Sequence, residues 1–376
     1  MLLAGVTACL VAFAATPVVL AGLRAHAVLD PVTERSSHAV PTVRGGGLAV
    51  VIAVLAATAA LAVTGRGGPQ AGAVVAVAAF GAVGLAEDLV GVPVLPRFGL
   101  QMLAAGLAVG LALSNVGWLP GLPAALGVLV VVAAMLWVVA FVNIFNFMDG
   151  VNGISAAQAL IAGTAYLTVG VLDHSASLRV GGLLAAASAV GFAPWNFPRA
   201  RIFLGDVGSH AFGGLLGVLA LGAALDTRAA EAAIAPLVLY LADTSVTLVR
   251  RTIAGEQWYR PHRTHTYQRL TVAGWSHERV TCTFGALALI TSGLGLVAEH
   301  SSPIPRAFAD LAIVLVTLGY LTLPALVARR RPLPLDARPA QARVDARPTQ
   351  GPVALPGPPP QREPSQADEI SDPASR

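Results

Sequence analysis

The chain has 376 residues, of which 55% are hydrophobic and only 12% charged, and it carries a formal net charge of +4. Its mean hydropathy is +0.71. A soluble domain holds roughly 25% charged residues, so these values exclude an ordinary water-soluble globule and leave a polytopic membrane protein. All 24 cationic side chains are Arg, because the sequence contains no Lys. Such a balance could suggest nucleic acid, but its placement in loops ties it to membrane orientation, so no nucleic-acid partner is expected. Cys9 and Cys282 both fall in apolar segments and give neither metal-ligand spacing nor a disulfide framework.

Taken in chain order, the apolar stretch at residues 1–22 lacks the basic leader of a secretory signal and is long enough to span a bilayer. It is expected to be a retained first helix. Eleven spans follow from apolar runs centred near Val11, Val54, Ala78, Leu107, Val131, Thr164, Ala187, Leu216, Leu237, Leu289 and Val316. Those near Ala78, Leu107 and Ala187 look short. Alternate loops then carry twelve Arg on one side and four on the other. The positive-inside rule puts the N-terminus outside, the C-terminus in the cytoplasm, and the Arg-rich loops at the cytoplasmic face of the bacterial inner membrane. From Arg329 the chain holds eleven Pro and eight Arg with few large apolar residues, and cannot bury a core. The expected organisation is an all-α transmembrane catalytic domain over residues 1–328 and a disordered cytoplasmic tail over 329–376.

Five polar stretches interrupt the apolar pattern, and all five fall on the Arg-rich side. The first, residues 30–47, places Arg35, His38 and Arg44 beside three glycines that let backbone approach an anion. A basic loop facing lipid headgroups would carry the same charges. The second, residues 86–101, ends an apolar helix with Glu87 and Asp88, which suit a divalent cation or a general base. The third, residues 143–153, spaces Asn143, Asn146 and Asp149 three apart, so neighbours in the series share a helix face. Amide and carboxylate oxygens are ligands for a hard cation such as Mg²⁺, although Asn also bonds between membrane helices.

The fourth stretch, residues 195–210, sets Asp206 between Gly205 and Gly208, where it can meet a metal or cap the next helix. The fifth, residues 250–270, is the longest loop on this side and gathers His262, Arg263 and His265 among further Arg and aromatics. Arg binds phosphate oxygens bidentately. Acids for a metal and bases for phosphates at one membrane face are the equipment of phosphoryl transfer.

The order of these motifs resembles the polyprenyl-phosphate N-acetylhexosamine-1-phosphate transferases, glycosyltransferase family 4, which include the MraY and WecA enzymes. The likeness covers roughly residues 24 to 270: a PT-x-RGGG loop, an acidic pair, N-x-x-N-x-x-DG, IF-x-GD-x-GS and a His-rich loop. The phrases NFMDG, WNFP and HRTHTYQRL look most like the WbpL branch. The resemblance implies that Glu87 and Asp88 match the acidic pair, that Asn146 and Asp206 hold Mg²⁺ (with Mn²⁺ as a substitute), and that Asp149 is a catalytic acid. It also implies that His262, Arg263 and His265 lie near the donor phosphates. Two departures stand out: Glu87 replaces the usual first Asp, and Asn152 replaces a second acid after the DG pair.

The implied partners are a UDP-N-acetylhexosamine, undecaprenyl or decaprenyl phosphate and the bilayer itself, with a homodimer left open. Arg35, His38, Arg44, Asn143, Asn152, His262, Arg263 and His265 are the expected substrate and phosphate contacts, and Asp88, Asp149 and Glu87 the expected catalytic acids. The rival readings are a transporter of lipid-linked sugar and a prenyl-diphosphate phosphatase.

Overall fold

A computed structural model describes residues 1–30, 41–65, 71–114, 116–256 and 263–329. Arg35, His38, His262 and the Pro- and Arg-rich tail therefore lie outside the described residues. Every expected apolar run forms helix. The series is α1 (Leu2–Ala25), α2 (Gly47–Val63), α3 (Ala71–Val90), α4 (Val94–Leu113), α5 (Ala124–Met148), α6 (Ile154–Leu172), α7 (Ala176–Asn196) and α8 (Gly205–Leu221). After a π-helical turn at Gly222–Asp226 come α9 (Ala230–Ile234), α10 (Val238–Ile253), α11 (Thr266–Val272), α12 (His277–Glu299) and α13 (Pro303–Arg329). A two-stranded antiparallel ribbon, Leu29 opposite Val43 and Asp30 opposite Thr42, closes the α1–α2 connection.

Ten helical segments among the described residues are long and apolar enough to cross a membrane, with Ala230–Ile253 counted as one. That segment contains Pro236, which lacks the N–H a continuous helix needs, and a short 3₁₀ turn at Ala235–Leu237 joins α9 to α10. The eleventh expected span is α2, which has 17 residues. The spans expected to be short instead reach 20, 20 and 21 residues in α3, α4 and α7. In α4 the extra length comes from Val94–Arg97, where Pro96 sits in the first turn and interrupts no helical hydrogen bond.

The bundle is built around α8. In the Gly205–Asp226 segment 83% of the most apolar window is buried, against 28% in α1, α4, α5 and α13. Hydrophobic residues all round a central helix, and large apolar residues such as Leu103 and Leu107 exposed on a peripheral one, are the pattern expected in lipid. Tight packing onto α8 depends on small residues. Gly84 of α3 lies against the backbone of Asp206 and Val207, and Gly47 of α2 against Gly208, so a Cβ on either would collide with main chain. These contacts sit in the first turn of α8, where the polar ends of α3, α5 and α7 also meet. Replacing Gly84 by Ala should lower the thermal midpoint in detergent, because overpacking against backbone costs about 1–3 kcal/mol. Gly110→Ala in α4, where a Cβ meets nothing within 4 Å, should leave that midpoint the same or higher, since Ala favours helix by up to about 1 kcal/mol.

Candidate active site

The site begins with an unmet need of α8. The first N–H groups of any helix lack acceptors within it. The residue before α8, Leu204, supplies no side-chain cap. Asp88, at the end of α3, fills the gap: its Oδ1 accepts from the Asp206 N–H at 3.1 Å and its Oδ2 from the Val207 N–H at 3.0 Å. A carboxylate at a helix N-terminus also meets the positive end of the helix dipole. Arg44 adds its guanidinium, with Nε 3.5 Å from Asp88 Oδ1 and Nη2 donating to the Asp88 carbonyl at 3.3 Å. The Asp88 side chain is wholly buried. It was expected among the catalytic acids; here its two oxygens receive the first N–H groups of α8, and it fixes where Asp206 stands.

The glycine triplet has a different use from the anion contact its sequence suggests. Gly46 and Gly47 donate their N–H groups to the carbonyls of Phe203 and Leu204 at 2.9 and 2.7 Å. The α1–α2 connection is thus laced to the start of α8. At Gly205, with φ +74°, a side chain would meet both Gly45 and the Asp88 carboxylate.

Asn146, in the last turn of α5, reaches the same point. Its Nδ2 donates to Asp206 Oδ1 at 2.8 Å and to Ser209 Oγ at 2.9 Å. With those hydrogens committed, the group it has left to offer a ligand is the amide oxygen. Asp149, just past α5, is half-buried and close enough to feel the charges of Asp206 and Asp88. Burial pushes its carboxyl up to about 7; a hydrogen bond from Ser155 opposes the rise, and the two neighbouring acids add to it. The turn after Asp149 is held from α7: Asn196 Oδ1 accepts from the Gly153 N–H at 2.7 Å, while its Nδ2 donates to the Ile202 carbonyl at 3.0 Å.

Asp88, Asn146, Asp149, Asp206 and Arg44 therefore converge. Other expected site residues are placed elsewhere. Glu87 accepts from the Val92 N–H at 2.8 Å and from Arg97 at 2.9 Å, so both its oxygens secure the α3–α4 turn. Asn143 donates to Gln101 of α4 at 2.8 Å, the interhelical bond that Asn commonly makes in membranes. Asn152 donates to the Pro198 carbonyl at 3.1 Å and accepts from Thr281 at 2.8 Å through its own carbonyl, tying loop to loop. His265 is 2% exposed; it precedes α11, with its ring stacked on Tyr267 and its Nδ1 3.4 Å from Asp243. Arg263 stands two residues earlier, partly exposed and near enough for its charge to act on Tyr267.

Residue-type reasoning passed over Ser209, Asn196, Tyr267 and Asp243. Asp243 did carry a signal, as a lone acid inside an apolar span, which is costly without a purpose. The other three had none, because Ser, Asn and Tyr in such positions are commonplace.

The donor set fits a small hard cation. Among the described residues no three His, Cys, Asp or Glu side chains cluster at metal-binding spacing. The Asp206 carboxylate and the Asn146 amide oxygen form a sparse oxygen pair instead. Mg²⁺ is typically held by one or two protein oxygens, with its remaining positions filled by water and substrate phosphates.

The glycosyl transferase family 4 model matches residues 70–224, a stretch that contains Asp88, Asn146, Asp149 and Asp206. The chain is 33% identical over 370 residues to the decaprenyl-phosphate N-acetylglucosaminephosphotransferase of Mycobacterium leprae, covering 87% of this chain and 91% of that protein. The enzyme of the same name from Mycolicibacterium smegmatis is 32% identical over 369 residues, 88% of each chain. A shorter match, 33% identical over 188 residues, joins 45% of this chain to 51% of the phospho-N-acetylmuramoyl-pentapeptide-transferase of Mycobacterium ulcerans. A buried acid that orders a second acid beside an amide, together with relatives aligned over nearly their whole length, leads to one conclusion: this chain belongs to glycosyltransferase family 4, the MraY and WecA family.

Proposed function

We propose that the protein transfers N-acetylglucosamine-1-phosphate, or a close N-acetylhexosamine analogue, from its UDP-sugar to a polyprenyl phosphate at the cytoplasmic face. The carrying observation is the convergence of Asp88, Asn146, Asp149 and Asp206 from three helices at one end of the bundle. The relatives' names support a decaprenyl or undecaprenyl acceptor and an N-acetylglucosamine donor. The helix ends that meet at this site also carry Arg44, Arg97, Arg199, Arg201, Arg250 and Arg279, which supports a cytoplasmic site and an N-terminus on the opposite side. The site's place at the helix ends favours an enzyme over a transporter, whose site would sit near the bilayer midplane.

In the reaction, an oxygen of the lipid phosphate attacks the β-phosphorus of the donor, the bond to the bridging oxygen of UMP breaks, and UMP leaves with that electron pair. Asp149 is the better base of the two candidate acids: its carboxyl is raised to about 7, while Asp88 is occupied as a cap. Asp149 takes the remaining proton of the acceptor phosphate or orients its dianion. Asp206 and the Asn146 oxygen would hold Mg²⁺, which would supply charge neutralisation for the pyrophosphate. Arg44, beside Asp88, and Arg263, ahead of α11, contribute positive charge. The acceptor's tail stays among the lipid-exposed apolar helices.

Two outcomes are expected. Asp206→Asn should reduce transfer by about 100-fold or more, and it should abolish any rise in thermal midpoint that Mg²⁺ gives the wild type; full turnover or an unchanged Mg²⁺ shift would remove Asp206 as ligand. Since Asp149 is held protonated at low pH, kcat/KM should rise with pH as it ionises. The acid limb should lie above the ordinary carboxylate range and no higher than about 7, because bound cation draws it down. Asp149→Asn should flatten the limb and remove most activity. A flat wild-type profile between pH about 4 and 8 would exclude Asp149 as the base.

A further inference from the structure

Asp243 takes no part in the chemistry above, yet it is 0% exposed in the middle of α10. An uncompensated carboxylate there would be expensive, so its partners are informative. Oδ1 accepts from the Thr266 N–H at 2.8 Å and the Thr247 hydroxyl at 3.3 Å, and lies 3.4 Å from His265 Nδ1. Oδ2 accepts from the Tyr320 hydroxyl of α13 at 2.8 Å. One side chain thereby joins α10, α11 and α13.

We propose that Asp243 is the positioning residue for Arg263, whose place it sets through the first turn of α11. This rests on the transferase reading, in which Arg263 faces the donor pyrophosphate. Thr266 is the first residue of α11, so its N–H has no acceptor within that helix. Asp243 supplies the acceptor and with it the place where α11 starts. Arg263 stands three residues before that point. One residue beyond it, Tyr267 donates to the Phe147 carbonyl at 2.9 Å. Its phenol also packs on Gly150, where any Cβ would strike it. Asp149 lies between these two contacts. The His265 ring stacks on Tyr267 at 5.9 Å and sits 6.4 Å from Phe147, filling the space between the acid and the turn. Burial raises the Tyr267 phenol well above its usual range, and the charges of Asp243 and Asp149 raise it further, so it stays a hydrogen-bond donor.

A residue that only stabilises the fold would not discriminate between the two substrates. The test uses the full chain in detergent, measuring transfer and, without acceptor, equilibrium binding of UDP-N-acetylglucosamine. Asp243→Asn removes the charge. Thr266→Pro removes the N–H at the first helical position, where Pro is well tolerated, together with the Thr hydroxyl, and leaves the Asp243 charge in place. The preceding His265 already has φ −61° and ψ 152°, as a residue before Pro prefers. Each variant should weaken donor binding and raise donor KM by about tenfold or more, with the acceptor KM within about twofold. Unchanged donor binding in either folded variant would overturn the proposal, as would an equal rise in both KM values. Should Asp243→Asn fail to fold, Thr266→Pro decides; failure of both makes Asp243 a folding residue and also ends the proposal. Wild-type protein that releases no UMP would refute the transferase reading instead.

Discussion

The Asp88 carboxylate on the first N–H groups of α8 is the contact from which the rest of the site follows. A helix that starts inside a membrane bundle exposes donors that neither lipid nor its own residues can satisfy. Here the acceptor comes from another helix 118 residues earlier in the chain. That single bond pair fixes the end of α3 against the start of α8, and it needs Gly84 and Gly205 to be bare for the backbones to come close enough. Asp206 is then held at a defined place and angle, and Asn146 can close on it from α5. Without the cap, the same acids would occupy neighbouring loops with no common geometry.

The same physical device appears twice. Asp88 receives the first N–H groups of α8, and Asp243 receives the first N–H of α11. In both cases a buried acid is stabilised by backbone donors and a cationic or ring partner, Arg44 in one and His265 in the other. In both cases the helix so anchored carries or adjoins residues assigned to the chemistry. Burial therefore serves these acids differently from Asp149. Both oxygens of Asp88 and of Asp243 accept hydrogen bonds from neighbouring elements, whereas Asp149 stands just past the end of α5 with its carboxyl pushed up to about 7, chiefly by burial.

The polar contacts outside this centre have a common purpose. Glu87 with Arg97, Asn143 with Gln101, and Asn152 with Pro198 and Thr281 each tie neighbouring elements together at the same end of the bundle. In an apolar bundle dispersion packing alone gives little direction, and hydrogen bonds between helices fix register. Such residues look like site residues in a sequence because they share the site's chemistry and its end of the membrane.

The sequence by itself determined the class of molecule and the neighbourhood of its chemistry. Low charge and long apolar runs require membrane helices, and the eleven runs all became helix. The spacing of Asn146 and Asp149 and the Gly-flanked Asp206 marked segments that the fold brings together, because oxygen ligands beside glycine are legible as residue types. The tertiary structure alone decided which polar side chains converge at the end of α8 and which tie neighbouring elements together. Asp88 and Glu87 are adjacent in the chain, yet one caps α8 and the other closes a turn. His265 stands among Arg and His in the sequence, yet it is buried on Asp243. Residue type tells what a side chain can bind; which partner it finds depends on helices brought together across more than 100 residues of chain, and close packing at a few glycines sets that approach.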